Sequence, residues 1–401
     1  MISIEQLYAI YRQHPLVSTD SRQLPEGCMF FALKGDNFDG NRFAIQALAQ
    51  GAAYAVVDDP NCATDKRCLL VKNVLKTLQQ LARHHRKQFD IPVIGIGGSN
   101  GKTTTKELIS AVLASHYPCH FTKGNLNNHI GVPLTLLSMP PDTEVAVIEM
   151  GTNQPGDIRE LCEIALPTHG LITNIGKEHL EGFGSLAGVK KAEGELFEYL
   201  RKHYGCVFVN DSEKYLAAMA KKNQMKVIYR HSAELIPVNG IIEVAMVAAM
   251  PRVQAAFLSD DGPRVEVHTK LFGKHNFNNV MTAIALAVYF KVPARKIKAA
   301  LESYTPTNNR SQILERNGAT ILLDAYNANP SSMRPAIDSL AGMPAEKRIA
   351  ILGDMLELGH ESHKEHGNIL RFAAKKGFDQ LVLVGPEFGA TNFQKYKALH
   401  F

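Results

Sequence analysis

The 401-residue chain is long enough for two or three domains, because a single hydrophobic core rarely grows far beyond about 250 residues. Apolar residues make up 45% and charged residues 21% of the sequence, which excludes a disordered or fibrous protein. The net charge of +5 is spread along the chain rather than collected in a basic arm, so nucleic acid is not an expected partner.

No targeting signal is expected. The sequence begins MISIEQLYAIYRQ, without the basic segment and apolar run of a secretory signal peptide. Its most apolar stretch, 240–250, is interrupted by Glu243, so no membrane span is predicted. The cysteines form no C-x-x-C pair, and their scatter predicts reduced thiols in a cytoplasmic protein. They are Cys28, Cys62, Cys68, Cys119, Cys162 and Cys206.

Residues 1–88 are predicted to form a small N-terminal α/β domain. Two strand-like runs, CMFFAL and AAYAVV, enclose the amphipathic stretch RFAIQALAQ. The helical pattern VLKTLQQLARHHRKQF follows the second run and ends the domain.

Residues 89–308 are predicted to form a central domain. Short apolar runs, PVIGIGG, EVAVIEM, HGLITNI and CVFVN, alternate with amphipathic helices such as KTTTKELISAVLAS and DIRELCEIA. Continuous apolar strands separated by helices predict a parallel sheet covered on both faces. A β-rich insert at about 226–271 and two helices at about 275–303 complete this region.

Residues 309–401 are predicted to form a third α/β domain after the linker TPTNNR. The runs ATILLDAY, RIAILGDM and QLVLVG have the pattern of buried strands separated by helices. We also expect this domain to be incomplete at Phe401, because a sheet that stopped there would expose an edge and part of a core.

A phosphate-binding loop is predicted between the strand PVIGI and the helix that follows GGSNGKTTTKE. Glycines let backbone N–H groups turn toward phosphate oxygens, and the helix N-terminus adds partial positive charge. Ile96 occupies the position of the usual first glycine, so the match is to a shorter variant, G-S-N-G-K-T. The alternative is a glycine-rich turn with an exposed lysine, and the loop alone leaves motors, kinases and ligases open.

Further segments accompany this loop along nearly the whole chain. They are TDSRQLPEGCMFFALKG, FDGNRF, GNLNNHIGVPLTLL, IEMGTNQPGDI, TNIGKEHLEGFGS, GKHNFNNV, DAYNANPSSM and LGDMLELG. In this order they resemble the Mur ligases, and the loop also resembles that of folylpolyglutamate synthases. YNANPSSM and LGDMLELG are most similar to the branch that adds D-alanyl-D-alanine to UDP-N-acetylmuramoyl-tripeptide in peptidoglycan synthesis.

The resemblance implies three domains, with a central phosphate-loop ATPase between an N-terminal UDP-binding domain and a C-terminal Rossmann-like domain. It implies ATP as a substrate, Mg²⁺ as a cofactor, UDP-N-acetylmuramoyl-tripeptide and D-alanyl-D-alanine as partners, and a monomer. The implied ATP-binding residues are Gly98, Ser99, Asn100, Gly101, Lys102, Thr103, Thr104, His275, Asn276, Asn279, Arg310 and Asp324.

The remaining sites come from the same resemblance. The implied UDP-substrate residues are Thr19, Ser21, Arg22, Lys34, Asn127 and Asn128, with Asn174 in the same cleft. The implied dipeptide residues are Tyr326, Asn327 and Asn329, and the implied metal ligands are Thr103, Glu149 and His179. Asparagines also cap helices, and N-A-N-P forms a turn in many proteins, so these alternatives stay open.

The implied reaction transfers the γ-phosphate of ATP to a peptide carboxylate, and an amine then attacks the acyl phosphate. Lys102, Glu149, His179, Glu193 and Arg310 are the implied catalytic residues. Such a transfer depends on positioning and on neutralising spread negative charge. Closure of the third domain would keep water from the acyl phosphate.

One residue departs from the family pattern. KKAEGELF places Glu193 where the family usually has a carbamylated lysine. We expect Glu193 to act as a permanent carboxylate near a second Mg²⁺ with a lowered pKa, unless Lys190 or Lys191 serves after a register shift.

Two classes of rival function remain at this point. One is a sibling ligase that adds a single amino acid, or a folylpolyglutamate synthase. The other is a non-catalytic nucleotide switch that uses the same loop. The sequence does not distinguish lysine from diaminopimelate at the third position of the precursor.

Overall fold

The computed structural model describes residues 2–259, 262–307 and 309–401. These residues form three α/β units in chain order. Asn308, the last residue of the predicted central domain and part of the predicted linker, lies outside the described residues. No helix in the described ranges is long and apolar enough to cross a membrane.

The first unit contains a four-stranded parallel sheet. Its elements are α1 (Ile4–Gln13), β1 (Val17–Ser18), β2 (Met29–Phe31), β3 (Lys34–Gly35), β4 (Phe38–Asp39), α2 (Ala44–Ala49), β5 (Tyr54–Val57), β6 (Cys68–Leu70) and α3 (Val74–Arg86). The sheet order is β1-β2-β5-β6, and β3 and β4 form a separate hairpin. The two strands and two helices predicted here are confirmed as β2, β5, α2 and α3.

The central unit contains a nine-stranded sheet. Its first elements are β7 (Val93–Gly97), α4 (Lys102–Ala114), β8 (Cys119–Phe121), α5 (Gly131–Leu137), β9 (Val145–Glu149), α6 (Asp157–Ala165), β10 (His169–Ile172), α7 (Leu180–Phe183), α8 (Leu186–Lys202) and β11 (Cys206–Asn210). It continues with α9 (Leu216–Met219), β12 (Lys226–His231), β13 (Ile241–Ala248), β14 (Gln254–Leu258), β15 (Arg264–His268), α10 (His275–Tyr289) and α11 (Ala294–Ser303).

The central sheet is mostly parallel and covered on both faces, as the apolar runs predict. Its order is β15-β14-β13-β12-β11-β10-β7-β9-β8, and only the pairs that involve β14 are antiparallel. Every residue of β7, β9 and β11 is buried. The predicted β-rich insert belongs to this sheet, because β12 and β13 extend its parallel part from β11.

The first unit packs on the central unit through α3. This helix contacts α5 and α6, and one hydrophobic cluster runs through both units. The Lys76 Nζ and Glu160 Oε1 atoms lie 2.8 Å apart across the contact. Arg86, which is buried, donates from Nε to the Ala165 carbonyl at 3.2 Å.

The third unit contains a hairpin and a three-stranded parallel sheet. Its elements are β16 (Gln312–Arg316), β17 (Ala319–Leu323), α12 (Pro330–Ala341), β18 (Ile349–Gly353), α13 (Ser362–Ala374), β19 (Gln380–Val384), α14 (Pro386–Gly389) and β20 (Leu399–His400). The sheet order is β18-β19-β20. ATILLDAY was expected to be a buried strand, but β17 pairs only with β16 and is largely exposed. Its apolar pattern therefore overstates its burial.

Candidate active site

A cavity of about 1190 Å³ lies between the central and third units. It opens at the carboxyl ends of β7, β9 and β10, where ligands bind in open α/β sheets. Ten of the twelve predicted ATP-binding residues line it, and Gly98 and Thr103 are not among the lining residues. The ten are Ser99, Asn100, Gly101, Lys102, Thr104, His275, Asn276, Asn279, Arg310 and Asp324.

The phosphate loop connects β7 to α4 and requires glycine at two positions. Gly98 has φ +116°, and a Cβ there would lie 2.2 Å from Thr173 Oγ1. Gly101 has φ +80°, and a Cβ there would lie 2.6 Å from Asn279 Oδ1. Both positions therefore exclude side chains for conformational and steric reasons.

Neighbouring side chains hold the loop in place. Asn100 N donates to Asn174 Oδ1 at 3.1 Å, and Asn174 Nδ2 donates to the Asn100 carbonyl at 2.8 Å. Gly176 N donates to Ser99 Oγ at 2.8 Å. The segment after β10 thus fixes the loop before any phosphate arrives.

Lys102, the first residue of α4, folds back over the loop. Its Nζ donates to the Gly98 carbonyl and lies 3.7 Å from Glu178 Oε2. Burial opposes its charge, but the carboxylates of Glu178, Glu193 and Glu149 together raise the Lys102 pKa. The ammonium is therefore retained at neutral pH and available to a phosphate.

Glu149 ends β9 and presents a free carboxylate oxygen. Its Oε1 accepts from Thr103 Oγ1 at 3.0 Å and from Asn127 Nδ2 at 2.9 Å. Its Oε2 is buried and has no hydrogen-bond partner among the described residues. An unpaired buried carboxylate oxygen beside a threonine hydroxyl is suited to a hard cation. Asn128 instead holds the turn before α5, where its Oδ1 accepts from Ile130 N at 3.1 Å and from Gly131 N at 2.8 Å.

A second acidic position, Glu178, was missed in the sequence. It is 4% exposed, and its Oε1 has no partner among the described residues. Its Oε2 lies 4.0 Å from Nε2 of His179, and both residues line the cavity. The available signal was its place directly before the predicted metal-binding histidine.

These groups fit a cation that shares its ligands with a nucleotide. Over residues 2–259, 262–307 and 309–401, no three His, Cys, Asp or Glu side chains converge in a metal-binding arrangement. Mg²⁺ at nucleotide sites takes one or two protein ligands and completes its shell with phosphate oxygens and water. Thr103 and Glu149 form one such pair of groups, and His179 offers a single group elsewhere in the cavity lining.

Glu193 lies beneath the phosphate loop rather than in the cavity lining. Its side chain is fully buried in α8, and Oε2 accepts from Gly98 N at 2.6 Å. Burial raises the Glu193 pKa to about 8, with Lys102 opposing and Glu178 adding to the shift. The lowered pKa predicted from the sequence depends on a second Mg²⁺ beside the carboxylate. In the described chain the dominant influence is instead the loss of water.

The predicted adenine-side residues form a connected polar network. Asn279 Nδ2 donates to Asn276 Oδ1 at 2.9 Å, and Asn276 Nδ2 donates to Ser311 Oγ at 3.0 Å. Ser311 N donates to Asp324 Oδ1 at 3.2 Å. Burial lowers the His275 pKa and raises that of Asp324, although each charge opposes the shift of the other. The network joins α10 to the start of the third unit.

The third unit brings Arg310 and the predicted dipeptide residues to the cavity. The Arg310 guanidinium carbon lies 3.8 Å from the centre of the Tyr326 ring, and its Nε is buried without a partner among the described residues. Asn329 Nδ2 donates to Asn100 Oδ1 at 2.8 Å. Asn327 also lines the cavity. Tyr326 and Asn329, two of the three predicted dipeptide residues, therefore contact predicted ATP-binding residues.

The other predicted UDP-binding residues lie outside this cavity. Thr19, Ser21, Arg22 and Lys34 are absent from its described lining. Arg22 pairs with Asp20 at 2.8 Å, and Lys34 pairs with Asp58 at 2.9 Å. A long substrate would have to span from the first unit to the cavity.

Comparisons with known proteins match all three units. The family models described as "Mur ligase family, catalytic domain", "Mur ligase middle domain" and "Mur ligase, glutamate ligase domain" match residues 15–86, 96–287 and 309–398. A UDP-N-acetylmuramoyl-tripeptide–D-alanyl-D-alanine ligase of Bacillus subtilis (strain 168) is 36% identical over 363 residues, 88% of this chain and 77% of the relative.

Solved structures agree with these matches. MurF from Acinetobacter baumannii is similar with a TM-score of 0.85 and 31% identity, covering 96% of this chain and 83% of that one. MurF ligase from Thermotoga maritima in complex with ADP gives a TM-score of 0.79 and 25% identity over 96% of this chain and 86% of that one. With sequence, domain order and fold in agreement, the chain belongs to the Mur ligase family.

Proposed function

We propose that this chain is an ATP-dependent ligase that joins D-alanyl-D-alanine to the peptide of UDP-N-acetylmuramoyl-tripeptide through an acyl phosphate. The observation that carries this proposal is the meeting of Lys102 and Arg310, from different units, at one cavity beside the phosphate loop. The substrates follow from the name of the Bacillus subtilis relative.

The loop and its two cations would position the transferring phosphate. Backbone N–H groups at the start of α4 would bind phosphate oxygens, and Lys102 would exchange its contact with the Gly98 carbonyl for one with the γ-phosphate. Arg310 would approach from the third unit and neutralise the charge that spreads over that group. The peptide carboxylate then attacks in line, and ADP leaves.

We propose that Thr103 and Glu149 would hold one Mg²⁺ and that His179 would hold a second, each together with phosphate oxygens. The supporting feature is the unpartnered buried Oε2 of Glu149. Bound Mg²⁺ would screen the repulsion between the triphosphate and the incoming carboxylate. Glu178, buried beside His179, would add negative charge on the same side.

The binding residues for the dipeptide, the precursor peptide and the uridine nucleotide are proposed from their positions in the structure. Asn327 and Tyr326 would face the dipeptide from the third unit, while Asn127 would contact the peptide near Glu149. Thr19, Ser21, Arg22 and Lys34 would bind the uridine nucleotide in the first unit. Lys34 would have to share its charge between Asp58 and the diphosphate.

Two further expectations belong to this proposal. A reducing compartment such as the cytoplasm is supported by six cysteines that all have free thiols. A monomeric state is also proposed, as the resemblance to the Mur ligases implies.

Phosphate release from ATP tests the proposal directly. We expect release only when UDP-N-acetylmuramoyl-tripeptide and D-alanyl-D-alanine are both present, and a product mass equal to the joined pair less water. Replacing the dipeptide with D-alanine, L-lysine or L-glutamate is the matched control. Release with a single amino acid would identify a sibling ligase, and tight ATP binding without release would identify a nucleotide switch.

A further inference from the structure

The loop that follows β18 in the third unit contacts the start of α7 in the central unit. The Glu357 carboxylate pairs with Nδ1 of His179. Glu181 N donates to the Glu357 carbonyl at 3.3 Å. Leu180, the residue after His179, is buried in the hydrophobic cluster of the third unit with Leu352, among others. The histidine therefore lies at the junction of the two units.

Both partners of this contact have unusual backbones. His179 has φ +43° and Glu357 has φ +61°, and neither is glycine. Residues other than glycine enter this left-handed region only where surrounding contacts hold them, and such residues cluster at functional sites. Here one such residue from each unit meets the other, so docking of the units and the geometry of the histidine are connected.

The contact also decides which ring nitrogen is available to the cavity. With Nδ1 held by Glu357, Nε2 lies 4.0 Å from Glu178 Oε2, which in turn lies 3.7 Å from Lys102 Nζ. A histidine that binds a cation through one nitrogen usually donates its other N–H to a carboxylate or carbonyl, which orients the ring. Glu357 is in that position, but it comes from the third unit.

We infer that Glu357 is a positioning residue that holds His179 with Nε2 turned toward the phosphate loop, so that the cation site of the central unit is complete only when the third unit is docked. The inference rests on the proposed function, which gives His179 its role as a ligand. The inference also explains why docking of the third unit would precede phosphoryl transfer, since the cation site would be incomplete before docking.

The test measures cation binding separately from turnover. Mn²⁺, which stands in for Mg²⁺, is titrated into the whole chain with a non-hydrolysable ATP analogue, and bound Mn²⁺ is counted by electron paramagnetic resonance. We expect Glu357→Ala to weaken one class of bound Mn²⁺ by about 10- to 100-fold and leave the other class unchanged. Glu357→Gln retains a carbonyl acceptor for the Nδ1 proton and should recover part of the loss.

Turnover gives a second measurement with a matched control. Glu357→Ala should lower kcat while the KM for ATP stays within twofold, because the phosphate loop is untouched. Glu346→Ala is the control, since Glu346 is an exposed carboxylate of the same unit outside the cavity lining, and it should match the wild type. In a His179→Ala background, Glu357→Ala should have no further effect, because the two act as one unit.

The outcomes separate this inference from the proposed function. In one outcome, His179→Ala removes one class of bound Mn²⁺ but Glu357→Ala binds Mn²⁺ like the wild type. The positioning role of Glu357 is then wrong and the proposed function stands. If His179→Ala itself leaves Mn²⁺ binding and kcat unchanged, the ligand role of His179 is wrong, and the inference fails with it. Additive losses in the double variant would also overturn the coupling.

Discussion

Lys102 and Glu193 show that the net pKa shift of a buried group depends on whether neighbouring charges outweigh the loss of water. Three carboxylates surround Lys102 and raise its pKa despite burial. Glu193 has the loop N–H of Gly98 and the Lys102 charge in its favour, yet loss of water dominates and raises its pKa to about 8. The same buried region thus raises the pKa of a lysine through its acidic neighbours and that of a glutamate through the loss of water.

Replacing Lys102 should remove activity without unfolding the chain. We expect Lys102→Ala to lower the rate of phosphate release by at least about 100-fold. The variant lacks the ammonium group that would neutralise negative charge on the transferring phosphate. The far-ultraviolet circular dichroism spectrum should be unchanged. Lys222→Ala, at an exposed lysine in the same unit, provides the control. Wild-type turnover in Lys102→Ala would remove the phosphate-loop assignment.

The raised pKa of Glu193 predicts a pH dependence of stability. The unfolded carboxyl loses its proton near pH 4.5, whereas the folded one retains it to about pH 8. Folding therefore binds a proton between these values, and stability should fall as pH rises through this window. We expect a lower urea midpoint at pH 8 than at pH 5, measured with EDTA and without nucleotide.

Glu193→Gln isolates this contribution. Its amide oxygen can still accept from Gly98 N but does not titrate, so the difference between the two urea midpoints should shrink. An unchanged difference would show that Glu193 is ionised in the folded chain. Activity should also be indifferent to bicarbonate, because Glu193 stands where the family usually has the carbamylated lysine. A strong response to bicarbonate would transfer the role to Lys190 or Lys191.

Among the structural elements, the turn from β7 into α4 determines the geometry of the phosphate site. Its carboxyl-edge position follows from the parallel pairing of β7 with β9 and β10. Side chains after β10 then hold the loop through the Asn100 and Asn174 hydrogen bonds. The element is therefore specified jointly by its own glycines and by its neighbouring strands.

A glycine substitution tests the steric part of this specification. Gly101→Ala combines a left-handed backbone with a Cβ 2.6 Å from Asn279 Oδ1, so we expect at least tenfold weaker ATP binding by calorimetry. Gly318→Ala, in the hairpin of the third unit, is the matched control. It has a similar φ, +76°, but no atom within 4 Å of the new Cβ. It should cost about 1 kcal/mol of stability and leave ATP affinity intact. Equal ATP affinities in the two variants would contradict the steric argument.

At the scale of the whole molecule, several polar contacts join the third unit to the central unit, and three of them are made by side chains near the phosphate loop. Lys177 Nζ lies 2.8 Å from Glu365 Oε1, Asn329 donates to Asn100, and Glu357 pairs with His179. All three lie in or next to the phosphate-binding region. The contacts that dock the third unit therefore involve residues of the site and its immediate neighbours.

Asn329 allows the docking contact to be separated from local folding. It caps α12 by accepting from Ser331 N and Ser332 N, and it also donates to Asn100 Oδ1. Asn329→Asp keeps the cap but cannot donate, so we expect a lower kcat with an unchanged thermal midpoint. Asn329→Ala loses both functions and should also destabilise the chain by about 1 kcal/mol. Full activity of Asn329→Asp would show that the contact with Asn100 is dispensable.

The sequence by itself determined the class of fold and the location of the phosphate loop. Strands that are buried on both faces need apolar residues at almost every position, so they appear in the sequence as continuous apolar runs such as VIGIG and VAVIE. The residue types of such a run are therefore enough to predict the strand. The ordered motifs also determined the family. The exposed β17 strand was mistaken for a buried one because residue types alone do not reveal what covers a strand.

Only the tertiary structure decided which side chains meet at the site. Glu178 and Glu357 are ordinary acids in the sequence, and their contacts with Lys102 and His179 depend on packing between distant segments. The burial of Glu193 under Gly98 likewise arises from the packing of α8 beneath β7. Such long-range contacts leave no periodic pattern in the sequence. Each involves two residues far apart in the chain, and the residue types next to one of them do not depend on the other.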